Sequence, residues 1–336
     1  MPPTFADKKM INKVILCLAL SMVCACCLRA GEEDALRDAR RAFEISDYQQ
    51  AVRTLQEAAK KAPDDPEVHF WLARSHYELR QLDPAITHAE RAVALDSKNS
   101  LYHEWLGRSY GDKADHSSWF SAVSLAKKTR QEFETAVRLD ERNFSARQAL
   151  VEFDCSAPGI VGGGEDKARP EIAQIAALDA AEGHYAAGNC RRQKKDFDSA
   201  GEEFAKALAS APKSVDLIFD IGDYAMKRSE AERLEAVANA GEKVSPRDVR
   251  SKFYRAVSLI LRNQQPAQAE KLLRDYMKNA PTRTAYPRPV WTHFWLGRLL
   301  ENRNDTSGAA KEYQAALKLD PKNKMAQESL QRVRNN

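Results

Sequence analysis

The apolar and polar positions of this chain repeat with a fixed period. Residues 70–74 read FWLAR, residues 104–108 read EWLGR and residues 294–298 read FWLGR, and the first two blocks start 34 residues apart. Self-similarity at such a period marks a stack of identical supersecondary units. Aligned on this block, units start near residues 32, 66, 100, 144, 181, 215, 250 and 290. Small residues recur at the eighth place of a unit: Ala39, Ala73, Gly107, Gly188, Gly222 and Gly297. They recur at the twentieth (Ala51, Ala85, Ala200, Ala269, Ala309) and the twenty-seventh (Ala58, Ala92, Ala136, Ala207, Ala316). Helices approach closely only where side chains are small, and a large residue at such a crossing overpacks it. Leu72, Leu106, Ile221 and Leu296 fill the space alongside. Pro63, Pro212, Pro246, Pro281 and Pro321 close the units, where proline stops a helix and opens a turn. Long alternating runs of Val, Ile and Thr are absent, so strands are not expected.

These residues resemble the tetratricopeptide repeat family, in an exported bacterial form. The resemblance rests on Trp71-Leu72-Ala73, Trp105-Leu106-Gly107 and Trp295-Leu296-Gly297, the mid-unit alanines and the closing prolines, over residues 32–323. It implies an all-α solenoid of antiparallel helix pairs, coiled as a right-handed superhelix. About eight repeats are expected (32–65, 66–99, 100–143, 144–180, 181–214, 215–248, 250–283 and 290–323), with residues 324–336 as the polar capping helix that terminal repeats require. Two places break the period. Between Gly111 and Asp140 about ten extra residues are expected to form a loop and a lengthened second helix. The stretch DCSAPGIVGGGEDKARP, residues 154–170, is expected as a flexible turn between the helices of the fourth repeat. Similar APG…GGG insertions occur in bacterial proteins of this type. TRTAYPRP, residues 282–289, is a proline-rich connector.

The N-terminus has a different pattern. Lys8, Lys9 and Lys13 precede an apolar run from Val14 to Leu28, too short for a bilayer span of roughly 20 residues. A basic start, a short apolar core and small residues at its end make residues 1–30 a signal peptide, cut after Ala25 or Ala30. An uncleaved anchor is the alternative. Lipidation of Cys26 is another, since Val23-Cys24-Ala25-Cys26 loosely resembles a lipobox, although Cys at the middle place departs from that pattern. Export to a periplasmic or extracellular location is therefore expected. The leader also carries most of the charge. The whole chain is +4 and residues 1–30 are +3, so the remainder is about +1, which gives no reason to invoke nucleic acid. Four of the six cysteines lie in the leader. Cys155 and Cys190 remain; an oxidising compartment permits a bridge, but free, inert thiols are the expectation. Asn143 and Asn304 open glycosylation sequons, relevant only in a eukaryotic secretory route.

Candidate chemistry is thin. Gly162 to Gly164 lack the GK[ST] of a phosphate loop, and Glu165 and Asp166 would repel phosphate. His69, His103, His184 and His293 all fall at the fourth place of their repeats, so the stack holds them apart and no shared metal is expected. HExxH, paired CxxC and GxSxG are absent. No cofactor, metal or catalytic residue is expected, and an enzyme using the Gly-rich loop is the remote reading. In the family's fold the first helix of each repeat lines a concave groove with its second, fifth, ninth and twelfth residues. Phe70, Tyr185, Phe219, Tyr254 and Phe294 hold fifth places. Arg74, Arg108 and Arg298 hold ninth places, and Arg192 a twelfth. Rings flanked by guanidinium groups suit an extended or helical peptide: rings bring apolar area and arginine pairs with carboxylates. The alternative for any one ring is packing against the next repeat. The clamp that some family members use for C-terminal carboxylates needs Lys and Asn where Leu36, Arg40, Trp71, Leu101 and Trp105 stand, so that specificity is not expected. The sequence thus reads as an exported, non-catalytic scaffold for a protein or peptide partner. A lipid-anchored subunit of an envelope assembly is the rival.

Overall fold

The computed structural model describes residues 34–283 and 285–335; the leader and Cys26 lie outside the described residues. The described residues contain seventeen α-helices and no strand. By their contacts they divide into two units, one ending at Glu132 and one starting at Phe133.

The first unit holds α1 (34–44), α2 (Tyr48–Lys61), α3 (Pro66–Glu78), α4 (Leu82–Leu95), α5 (Ser100–Asp115) and the larger part of α6 (Trp119–Leu139). Local chemistry sets the starts. Asp65 accepts from the backbone N–H groups of Glu67 and Val68, and Pro66 occupies the first helical position of α3. Asn99 caps α5 in the same way by accepting from Leu101. Each cap satisfies N–H groups that the helix itself leaves without acceptors. Ala51, Ala85, Ala89 and Ala92 sit where helices touch, and all are buried. The ten-residue insertion differs from the expected loop. It lengthens both helices, to 16 residues in α5 and 21 in α6, and leaves residues 116–118 as the turn. Trp119 and Phe120 at this tip are 64% and 86% exposed.

The second unit holds α7 (Phe144–Ser156), a 3-10 turn (Gly159–Val161), α8 (Glu165–Leu178), α9 (Ala180–Gln193), α10 (Phe197–Ala209), α11 (Val215–Lys227), α12 (Ala231–Val244), α13 (Arg250–Leu261), α14 (Pro266–Asn279), α15 (Pro289–Asn302), α16 (Thr306–Leu319) and α17 (Lys324–Asn335). One apolar core runs from Ala200 to Val333 and takes in Phe204, Phe253, Tyr276 and Tyr313. Ala269, Ala309 and Ala316 are completely buried in it. The last helix turns Ala326, Leu330 and Val333 into this core and its basic side chains outward.

The turn inside most hairpins has one left-handed residue at the same place: Ser46, Arg80, Lys195, Ser229, Asn263 and Asn304, with φ between 52° and 64°. None is glycine, so these turns recur at the cost of a conformation that a Cβ disfavours.

Two expectations need correction in this unit. Cys155 and Cys190 are not free thiols: they form a disulfide, with Cα atoms 5.5 Å apart, tying the end of α7 to α9. The helical hairpin α7–α8 brings Cys155 beside α9, in a cluster with Val151, Ile175 and Ala186. Nor is the Gly-rich stretch an open flexible segment. The turn is confined to residues 157–164 and α8 starts at Glu165, so Pro170 lies inside a helix. Gly164 N–H donates to Asp154 O at 2.8 Å, Lys167 Nζ donates to Gly162 O at 2.6 Å, and Val161 is buried. Gly162 has φ 98° and Gly164 φ 143°, regions that favour glycine. A Cβ on Gly163 would lie 2.1 Å from Ala157 O. The glycines therefore serve the tight crossing of backbone over backbone.

Candidate peptide-binding face

In the first unit, α1, α3 and α5 carry the candidate face. The spacing of Phe70, Arg74 and Tyr77 on α3, and of Leu101, Trp105 and Arg108 on α5, puts each set on one side of its helix. Arg74 is at the centre. Its guanidinium lies 4.5 Å from the Trp71 ring centre, 4.6 Å from Trp105, 4.7 Å from Phe43 and 5.5 Å from Phe70. Burial pulls Arg74 below the usual guanidinium range, against Glu78 and Glu104, which pull it up. Burial likewise raises Glu78, with Arg74 opposing. Arg74 makes no ion pair among the described residues, and its Nε, Trp71 Nε1 and Tyr48 Oη are buried without a hydrogen-bond partner there. The other cations of the face are paired: Arg40 with Glu67, and Arg108 Nε donating to Glu104 Oε1 at 3.0 Å. Leu101 is 48% exposed.

In the second unit Tyr185 donates to Asp220 at 2.6 Å, and Arg192 sits 3.8 Å from the same carboxylate. Burial, then Asp220, pushes the Tyr185 hydroxyl well above the usual tyrosine range. Phe219 stacks on Tyr254 with ring centres 5.6 Å apart, and Arg250 covers Phe219 at 4.3 Å. Tyr254 donates to Asp223 at 2.7 Å, while burial raises the Asp223 carboxyl against that hydrogen bond.

The aromatic row is corrected by this geometry. Phe70, Phe219, Tyr254 and Phe294 are 7%, 3%, 1% and 1% exposed. They are core residues, held by ring contacts with a neighbouring repeat or, for Phe294, within its own hairpin. Phe70 packs on Tyr102, Phe219 on Tyr254, and Phe294 between Trp295 and Tyr313. Arg74, Arg108, Tyr185, Arg192 and Arg298 remain partly exposed. Of the rings around Arg74, Phe43, Trp71 and Trp105 reach the surface in part.

The four fourth-place histidines are hairpin pins. His103, His184 and His293 each face a carboxylate of the following helix, Glu132 at 2.6 Å, Glu203 at 2.8 Å and Glu312 at 2.7 Å. His69 faces His88. Among the described residues no group of three or more His, Cys, Asp or Glu is arranged to hold a metal, and no helix is long and apolar enough to cross a membrane.

This architecture defines an all-α repeat solenoid. Tetratricopeptide repeat models match residues 36–100, 166–215 and 290–323. These three stretches of the chain are tetratricopeptide repeats. The chain is similar to a thermophilic tetratricopeptide repeat protein of Thermus thermophilus, with 24% identity over 58% of this chain and 97% of that one, TM-score 0.47. It is also similar to a tetratricopeptide repeat protein of Parabacteroides merdae, with 12% identity over 90% and 99%, TM-score 0.40. A third likeness is to an O-GlcNAc transferase of Thermobaculum terrenum, with 22% identity over 49% of this chain and 26% of that enzyme, TM-score 0.36. No curated protein matches the sequence.

Proposed function

We propose that this repeat protein is an exported, non-catalytic scaffold, and that its first unit captures a protein segment on the face made by Trp71, Arg74, Leu101, Trp105 and Arg108. The observation that carries the reading is Arg74. Its charge is flanked by four rings, its Nε is buried without a hydrogen-bond partner, and Glu78 and Glu104 act on it without forming a direct ion pair among the described residues. An arginine with part of its charge unbalanced and stripped of water gains from a carboxylate brought to it. Exposed Leu101 beside Trp105 offers apolar contact to the same segment. The partner is thus a peptide with an acidic side chain next to an apolar one. Export is supported by the leader pattern of residues 1–30 and by the Cys155–Cys190 bridge, since such bridges persist in oxidising compartments.

Selection of a random displayed-peptide library on the purified protein tests this. Selected peptides should carry Asp or Glu beside an apolar residue, and should lose binding to Arg74→Gln and Leu101→Asp proteins of unchanged circular dichroism. Selected peptides indifferent to both substitutions would refute the face.

A further inference from the structure

The repeats pin their two helices together with a histidine, and one repeat does so differently. In three hairpins the histidine of the first helix meets a glutamate of the second. In the α3–α4 hairpin the glutamate's place is taken by His88: His69 Nδ1 and His88 Nδ1 are 3.0 Å apart. A third imidazole, His76, lies parallel to His88 with ring centres 5.6 Å apart and an interplanar angle of 3°.

The tautomers follow from the partners. His69 Nε2 is 3.0 Å from the Pro63 carbonyl oxygen, so this nitrogen donates. Neutral His69 then presents the Nδ1 lone pair, and His88 Nδ1–H donates to it. Proton uptake by His69, with His88 in this tautomer, puts two N–H groups face to face; proton uptake by His88 keeps its N–H on the His69 lone pair but sets a cation among imidazoles with no carboxylate to balance it. A His–Glu pair behaves oppositely, because protonation turns it into an ion pair. The surroundings offer His88 no relief. From α3 it meets His69 and His76, the charges that act on it. His76 Nδ1 is taken by Gln81 at 2.7 Å. In the α2–α3 turn Asp64 pairs with Arg91, and on α2 Lys60 pairs with Glu57. On α4 Glu90 accepts from Tyr110 of α5, Asp83 pairs with Lys113 of α5, and His103 of α5 is turned to Glu132.

We infer that the α3–α4 hairpin is an acid-sensitive joint: proton uptake by its histidine cluster loosens α4 from α3 while the His–Glu hairpins hold. Since α3 carries Trp71 and Arg74, and resting on the binding face proposed above, acid would also release the captured segment.

The direction is fixed by linkage. Burial first, then His69 and His76, lowers His88 from its ordinary 6.5 to about 4. The closed hairpin therefore excludes a proton that the open hairpin takes up. The stabilisation is complete above the unfolded value and is lost as pH falls from 6.5 towards 4.

Hydrogen exchange followed by mass spectrometry on the oxidised full chain, corrected for intrinsic rates, tests the joint. Between about pH 7 and about pH 5, protection of residues 66–95 should fall on the order of tenfold relative to residues 180–209 and 289–319. In His88→Glu, which restores the His–Glu pair, the relative fall should vanish. His88→Gln, neutral throughout, gives the same reading should the glutamate variant fail to fold. Protection that keeps pace with the other two hairpins overturns the proposal, as does an equal fall in either variant. Binding of a library-selected peptide is measured on the same samples. A peptide held equally well by open and closed protein overturns the release; a library that yields no binder overturns the face, and the exchange result judges the joint without it.

Discussion

Gly297 is required by one ring. It lies on α15 opposite Tyr313 of α16, and a Cβ there would sit 2.5, 2.7 and 3.0 Å from Tyr313 Cε1, Cδ1 and Cζ. The ring has little room to yield. Tyr313 is completely buried and donates to Glu301 at 2.7 Å, and Glu301 is held by Arg332 of α17 at 2.6 Å. Overpacking costs about 1–3 kcal/mol, and an anchored ring puts this site in the upper part of that range. Alanine returns about 0.5–1 kcal/mol of helix propensity. Gly297→Ala should therefore destabilise by about 1–2 kcal/mol. Gly201 on α10 is the control, because its added Cβ would meet the guanidinium end of Arg233 at 2.9 Å, and a flexible end can swing aside. Gly201→Ala should be neutral or stabilising by up to about 1 kcal/mol. Urea unfolding followed by circular dichroism compares both with wild type, and with Gly297→Ala in a Tyr313→Leu background, where the cost should shrink. If Gly297→Ala raises the midpoint as Gly201→Ala does, the claim that the eighth place is steric fails.

Two further outcomes follow from the second unit. The Cys155–Cys190 bridge spans a sequence separation of 35, so reduction, or paired Cys→Ser changes, should lower stability by about 4 kcal/mol on loop entropy, seen as a lower urea midpoint under reducing conditions. Tyr254→Phe removes the hydroxyl that donates to Asp223 and so should cost about 1.5–3 kcal/mol by urea unfolding, with the Asp223 carboxyl moving further up in an NMR titration.

The period, the helix pairs and the small contact residues were legible because each reflects one local rule repeated. Ala85 and Ala309 are completely buried, as close helix packing demands. A finer pattern was also on the page. The eighth-place glycines Gly188 and Gly297 each face a buried ring at the twenty-fourth place, Phe204 and Tyr313, while Gly222, with Ala238 at that place, faces Tyr254 of the following repeat. Where the eighth is alanine, the twenty-fourth is aliphatic, as in Ala39 with Leu55 and Ala73 with Ala89. The disulfide was not legible, because a lone pair of cysteines 35 residues apart says nothing about distance until α8 folds back between them.

The candidate face shows why periodicity stops short of function. A helical period fixes the angle at which a side chain leaves its helix, but not whether the same angle on the next repeat is occupied. Phe219 and Tyr254 leave at the same angle one repeat apart, and so each ring covers the other. Consecutive rings at one place therefore predict burial rather than a row of open contacts. Arginine at the ninth place behaves differently: its long stem crosses the apolar strip and its head stays partly in water. The histidine pins carry the same lesson about register. His184 to Glu203 and His293 to Glu312 span 19 residues, while His103 to Glu132 spans 29. The ten extra residues thus lie between two places that still meet, so they have to leave the stack as a longer hairpin, and both helices have to grow with them.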